Sequence, residues 1–243
     1  MLIMHSRVLE AVVTSQYFYP NHPPTYSMAN RIFDVVLATL MLVLTLPFLV
    51  MSTLAVWLTS EGPVLFAHRR CGRNGIPFRC LKFRTMVVDA ENWLVRYPDL
   101  GTKYKENGFK LKSDWDPRVT KVGRILRRAH LDELPQLLNV IRGDMSLVGP
   151  RPIVEEELNW YGNDKDEYLS VRPGVFGEWT AQGRQRVDYP ARTLVELGYI
   201  RDNSSLKDLR VLLKHIPVLL LGQADDQLPL QTETTHKEAS ASE

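Results

Sequence analysis

The chain has 243 residues, of which 44% are hydrophobic and 24% charged, with a formal net charge of +2 and a mean hydropathy of −0.18. This length fits one domain with appendages, and the composition excludes a wholly disordered chain and a many-span membrane protein, leaving room for one membrane segment. Cys71 and Cys80 are too few and too widely spaced for a zinc knuckle or a disulfide framework, and read as reduced and incidental.

Residues 1–30 form a lead punctuated by Pro20, Pro23 and Pro24, with no sign of a stable domain, and are expected to be poorly ordered. From Val35 to Leu58 no residue is charged. A run of this length exceeds the roughly 18 apolar residues that nominate a membrane helix, so residues 31–60 are assigned to the membrane. Pro47 interrupts the run: it removes a helix hydrogen bond and pushes Leu46 away from helical angles. Each arm of about a dozen residues would be roughly 17 Å long, too short for a hydrocarbon core of about 30 Å. A bend would make the segment dip in and return, while a kinked spanning helix is the alternative; the residues favour neither strongly. Beyond it come Arg69, Arg70, Arg73, Arg79, Lys82 and Arg84 without an intervening acid, which places residues after Leu58 on the cytoplasmic side. These cations could also hold anionic lipid headgroups.

The Asn74-Gly75 pair between VLFAHRR and PFRCLKF predicts a β-hairpin. From about Asp116 helical periodicity dominates, broken by turns at Gly149–Pro152 and Arg172–Gly174. Leu206, Leu209, Leu212, Leu213 and Ile216 fall at helical spacing behind a cap at Ser204, on a face that suits a membrane surface or a core equally well. Residues 223–243 are polar and aperiodic, and are expected to form a disordered tail.

The chemistry concentrates in His130–Gly143, HLDELPQLLNVIRG. Leu134, Leu137, Leu138 and Ile141 define one helix face, and Pro135 is tolerated if it lies in the first turn. Asp132 then sits at or near the N-cap and Glu133 in the opening turn, with Gly143 as the stop. The positive end of a helix favours ionised carboxylates, so Asp132 could act as a nucleophile and Glu133 could ligate a hard cation such as Mg²⁺. Ordinary capping uses the same residue types. Arg118, Lys121, Arg124, Arg127 and Arg128 form a basic cluster upstream. Downstream, Arg151 stands between Pro150 and Pro152, which present its guanidinium from a stiff turn suited to bidentate phosphate recognition. Two carboxylates, a preset arginine and basic flanks suit a metal-bound diphosphate. No nucleic-acid-binding module is recognisable.

KFRTM at 82–86, LDELPQLLNVIRGDMSLVGPRP at 131–152 and VRPGVFG at 171–177 strongly resemble the bacterial sugar transferases, the monotopic polyprenyl-phosphate phosphoglycosyl transferases. The resemblance runs from about Arg31 to Gly222 and suggests the small form without an added multi-span region. It implies an α+β fold, mainly helical with a small β-hairpin. It also implies a re-entrant membrane helix broken at Pro47, and a cytosolic catalytic domain with interfacial helices over residues 61–222. The implied reaction moves a sugar 1-phosphate from a UDP-sugar to polyprenyl (undecaprenyl) phosphate in two steps, through an enzyme-bound phosphosugar, with release of UMP. This would be the first membrane step of bacterial polysaccharide or glycoconjugate assembly, at the cytoplasmic face of the inner membrane. Carried over by position, Asp132 is the nucleophile and Glu133 its partner at Mg²⁺. Lys82, Arg127 and Arg151 lie near the phosphates, with Pro150 and Pro152 framing Arg151. Expected partners are the UDP-sugar, the polyprenyl phosphate and membrane lipids, with no nucleic acid and the oligomeric state open. Three departures from the family pattern are noted. Leu46 stands where a serine often precedes the proline. Glu178 and Thr180 interrupt the run after Gly177, whose ending Gln182, Gly183 and Arg184 keep. The lead sequence QYFYP at 16–20 resembles the first strand of an unrelated glycosyltransferase class, so the working protein could begin nearer Met28.

Overall fold

The structure is a computed structural model; it describes residues 27–106, 111, 113, 115–181 and 189–221, of which 217–221 are described for the backbone alone. The expectations for the lead before residue 27, for Gln182, Gly183 and Arg184, and for the tail lie outside the described residues.

Two apolar helices come first, α1 (Met28–Leu44) and α2 (Leu46–Thr59), bent 62° relative to each other. Ser27 caps α1 by accepting the Asn30 N–H, so helix begins three residues ahead of the boundary read from sequence. At about 1.5 Å per residue the two arms are roughly 25 and 21 Å long, and neither alone matches a hydrocarbon core of about 30 Å. The break falls on Thr45 (φ −91°, ψ 3°), not on Leu46, which opens α2 together with Pro47. Proline is tolerated in a first turn because its missing N–H has no partner to lose there. The Thr45 hydroxyl donates to the Met41 carbonyl at 2.7 Å, supplying from the neighbouring position the oxygen that Leu46 lacks.

The pair is apolar on the outside and polar where it docks. Phe33, Val36, Leu40, Phe48, Met51 and Trp57 are exposed, whereas Asp34 and Ser52 are buried. Asp34 accepts the Ser146 hydroxyl (2.6 Å) and the Leu147 N–H (3.1 Å), and Arg31 donates to the carbonyls of Val140 (2.6 Å) and Ile141 (2.8 Å).

Strands β1 (Leu65–Cys71) and β2 (Pro77–Phe83) form the expected antiparallel hairpin, with Leu65 opposite Phe83 and Cys71 opposite Pro77. Its turn needs left-handed backbone at Asn74 (φ 58°) and Gly75 (φ 74°), a conformation these two residues adopt at least cost. Then come α3 (Ala90–Arg96), α4 (Pro98–Glu106) and α5 (Lys121–Arg128), followed by a 3₁₀ turn, Leu131–Glu133, and α6 (Gln136–Arg142). The fold continues with β3 (Ser146–Val148), an irregular 3₁₀ segment (Glu155–Asp164), α7 (Lys165–Leu169) and β4 (Gly174–Phe176). It closes with α8 (Glu178–Ala181), α9 (Ala191–Arg201) and α10 (Ser205–Leu221). The chain is mainly helical with two small sheets.

The second sheet is a parallel pair, β3 beside β4, next to the expected turns at Gly149–Pro152 and Arg172–Gly174 in a region whose sequence reads as dominated by helical periodicity. Glycine permits it: a Cβ on Gly174 would stand 2.1 Å from the Gly149 nitrogen. The main core joins Ala38, Leu137, Val140, Leu147, Phe176 and Ile200, and a smaller cluster joins Val56 of α2 to Phe83 and Leu126, with Leu131 against it. In α10 the Ser204 hydroxyl accepts the Lys207 N–H as expected. Val211 and His215 face the core, whereas Leu206, Leu209, Leu213 and Ile216 face outward.

Candidate active site

The two carboxylates lie in the 3₁₀ turn that leads into α6. Its first flank is His130 in left-handed geometry (φ 55°), and no side chain caps the turn. Asp132 is therefore one residue inside the turn, not at a helix N-cap, and Pro135 immediately precedes α6. Successive 3₁₀ side chains diverge by about 120°, so Asp132 and Glu133 leave the backbone in different directions. Gly143 (φ 96°) stops α6 as the sequence indicated. Of the expected leucine face only Leu137 is fully buried; Gln136 and Asn139 are also interior. Asn139 links α6 to the hairpin, accepting the Leu81 N–H (2.9 Å) and donating to the Arg79 carbonyl (2.8 Å). Because Leu81 is thereby fixed, its neighbours Cys80 and Lys82 turn their side chains to the opposite face.

On that face lies a pocket. Lys82 Nζ meets Glu133 Oε1 at 2.8 Å, and both line the pocket together with Arg70, Pro150, Arg151 and Pro152. The structure thus brings five of the expected residues, Lys82, Glu133, Pro150, Arg151 and Pro152, to one cavity. It does not bring Asp132 or Arg127 to that lining. Asp132 is 8% exposed, and Arg127 donates to the Thr85 hydroxyl at 2.9 Å. Pro47 lies in the bent pair, away from the cavity lining. Arg118 also departs from expectation. It is buried and held by Asp116 through two hydrogen bonds of 2.9 and 2.8 Å, so it is a structural strut and not part of a basic face.

The parallel sheet explains how Arg151 reaches the cavity. Neighbouring parallel strands end on the same side, and ligands collect beyond such carboxyl ends. Arg151 follows β3 by three residues, and Glu178, which also lines the pocket, follows β4 by two. The prolines stiffen the Arg151 turn, and two side chains clamp its backbone. Glu196 Oε1 accepts the Arg151 N–H at 3.4 Å, and the Tyr168 hydroxyl donates to the Arg151 carbonyl. The guanidinium lies over the Trp179 ring, 5.4 Å from its centroid.

Below this turn runs a buried polar network that sequence reasoning missed. Glu157 meets Arg70 (3.4 Å) and Arg192 (3.5 Å) and accepts the Tyr189 hydroxyl (2.9 Å). Glu196 meets Arg192 (3.2 Å) and accepts the Tyr161 hydroxyl (2.5 Å). Burial, reinforced by these carboxylates, drives the Tyr161 and Tyr189 phenols far up, so both remain donors. Burial works against the Arg192 charge, but Glu196 and its neighbours more than offset it and the guanidinium stays protonated. One signal was available: Arg192 and Glu196 are four apart, helical ion-pair spacing. Two further groups flank the pocket. Burial, then Arg70 and Lys82, lower the His68 pKa to about 4, keeping the ring neutral. Burial raises the Cys80 thiol, leaving it inert.

The family model described as bacterial sugar transferase matches residues 25–222. The chain belongs to this family. Among its relatives is the exopolysaccharide production protein ExoY of Rhizobium meliloti, 41% identical over 218 residues, covering 86% of this chain and 95% of that one. The ExoY protein of Sinorhizobium fredii is 40% identical over 215 residues, with the same coverage. The undecaprenyl-phosphate galactose phosphotransferase of Salmonella typhimurium is 41% identical over 194 residues, covering 79% of this chain but 40% of that longer one. In bacterial sugar transferase terms, this chain spans nearly the whole length of the two ExoY proteins.

Proposed function

We propose that the protein transfers a sugar 1-phosphate from a UDP-sugar to undecaprenyl phosphate, in exopolysaccharide or related glycan assembly. The observation that carries this reading is the Lys82–Glu133 pair facing Arg151 across one pocket, one residue from Asp132 and beside an outward-apolar bent helix pair. The names of the relatives support the substrate classes.

In the first step an oxygen of Asp132 attacks the β-phosphorus of the donor. The bond from that phosphorus to the bridging oxygen breaks, and UMP leaves with the electron pair. In the second step the phosphate oxygen of the polyprenyl acceptor attacks the same phosphorus and displaces the Asp132 carboxylate, regenerating the enzyme. Arg151 and Lys82 neutralise the charge that accumulates on the equatorial oxygens and the departing phosphate, the main demand of phosphoryl transfer. Glu133 holds Lys82 in place for this task. Among the described residues no three His, Cys, Asp or Glu side chains gather into a metal cage. Glu133, the hard carboxylate in the pocket lining, would hold Mg²⁺, which commonly binds through one or two carboxylates plus substrate phosphates, with Asp132 one residue away as the second candidate ligand. When bound, Mg²⁺ supplies further neutralisation of the diphosphate.

The bent pair dips into the cytoplasmic face of the membrane and returns, with Thr45 and Pro47 at its deepest part, and the outward leucines of α10 rest on the same surface. Asp132 then lies near the lipid boundary, because Leu131 packs in the cluster that contains Val56 of α2. The test is Asp132→Asn: UMP release from UDP-sugars with undecaprenyl phosphate should fall at least about 10³-fold, as for other lost nucleophiles. Membrane association should persist. Normal turnover would rule out this nucleophile.

A further inference from the structure

Glu178 and Thr180, the two residues that interrupt the family run, engage consecutive residues of the last helix. Lys214 Nζ donates to Glu178 Oε1 at 2.7 Å, and Thr180 Oγ1 lies 2.8 Å from His215 Nε2. His215 Nδ1 lies 2.8 Å from the Val211 carbonyl, which can only accept, so that nitrogen carries a hydrogen. Thr180 also accepts the Gly177 N–H at 3.0 Å, closing the turn from β4 into α8. The segment is thus bolted to α10 and cannot swing away from the cavity that Glu178, Trp179 and Thr180 line.

Within the ion pair the acid is inside and the base outside: the Glu178 side chain is 15% exposed and that of Lys214 50%. A strut between two surface helices needs no such placement, since a carboxylate loses hydration when it is turned inward. Here Glu178 is one of the residues lining the cavity, and Lys214, which is not, offsets its charge. Because β3 and β4 are parallel and in register, Glu178 leaves the same sheet end as Arg151. A donor whose diphosphate rests on Arg151 and Lys82 therefore has Glu178 beside the group attached to that diphosphate.

We infer that Glu178, held by Lys214, selects the donor sugar. Its carboxylate accepts hydrogen bonds from sugar hydroxyl or amide N–H groups and repels a sugar that carries its own carboxylate. This assignment rests on the transferase reading above, and the experiment separates the two. Full-length protein with undecaprenyl phosphate and Mg²⁺ is assayed for UMP release with UDP-glucose, UDP-galactose, UDP-N-acetylglucosamine and UDP-glucuronate. Wild-type protein should discriminate against UDP-glucuronate. Glu178→Leu should shift the kcat/KM ratio of UDP-glucuronate to the best neutral donor at least tenfold upward. The near-isosteric Glu178→Gln, which preserves shape, should shift it in the same direction. The charge-reversed pair Glu178→Lys with Lys214→Glu rebuilds the ion pair without the inward carboxylate, so it should not restore the wild-type ratio. Equal slowing of all donors in both single variants, or restoration of the ratio by the reversed pair, would reduce the contact to a strut and overturn the assignment. With ADP-glucose added to the panel and read as AMP release, a change in preference between UDP-glucose and ADP-glucose with sugar ratios unmoved would also overturn it, moving Glu178 to the nucleoside. If the wild-type protein releases UMP from none of the donors, the transferase reading fails first and takes this assignment with it.

Discussion

The bent helix pair and the floor of the pocket solve opposite solvation problems. α1 and α2 display apolar side chains outward and turn their polar residues, Arg31, Asp34 and Ser52, toward the rest of the protein. The pocket floor gathers two arginines, two glutamates and three tyrosines, all but Arg70 and Tyr189 buried, beneath a turn that carries a third arginine. In the pair, Arg31 and Asp34 meet backbone or hydroxyl partners and perform docking. In the floor, ionised groups meet each other and fix the position of Arg151. The lesson is that the same residue type serves as an anchor or as a jig according to what lies opposite it. Composition alone does not distinguish these roles.

The contrast can be broken experimentally, most forcefully at the floor. Arg192→Ala removes the shared partner of Glu157 and Glu196 and leaves two buried carboxylates undercompensated. A loss of about 3–5 kcal/mol of stability is expected in denaturant titrations of detergent-solubilised protein. The anchor should respond less: Asp34→Ala strands the Leu147 N–H and the Ser146 hydroxyl, for about 1–3 kcal/mol in the same titration. Thr45→Val keeps the shape of the bend but deletes the hydroxyl bond to Met41, costing about 1 kcal/mol, read as a small fall in Tm. A pH slope is the remaining test. Because the folded His68 pKa is about 4, below its usual 6.5, the unfolded chain binds the extra proton first on acidification. Stability should therefore decline as pH drops from 6.5 toward 4 and be unaffected by this group above 6.5. Tm measured across that window should fall less steeply in His68→Gln than in wild type.

The legibility of the sequence followed the range of the interactions. The hairpin was readable because Asn74-Gly75 encodes its own turn, and the proline-broken apolar run because hydropathy is a local sum. The exact place of the break was not readable, since Leu46 accepted helical geometry and Thr45 took the bridge-region angles. Lys82, Glu133 and the Pro150–Pro152 turn could be named from motifs, yet their meeting joins positions 51 residues apart. The parallel pair β3–β4 was missed because three-residue strands have too little periodicity to register. The Arg70–Glu157 contact spans 87 positions and leaves no trace in either neighbourhood. Arg118 was misjudged for a simpler reason. Its partner Asp116 sits two residues upstream, just outside the run counted as basic.

The Arg31 fork has a practical corollary. Val140 and Ile141 lie in the last turn of the helix that begins just past Asp132 and Glu133, and Arg31 of the bent pair donates to both of their carbonyls. Trimming the protein to begin after Ser60 would remove both Arg31 contacts and the Asp34 partner of the Leu147 amide at once, leaving the Val140 carbonyl only its bond from the Gly143 N–H. The bent pair is in this sense a structural part of the fold that carries the pocket, and the two are best studied together.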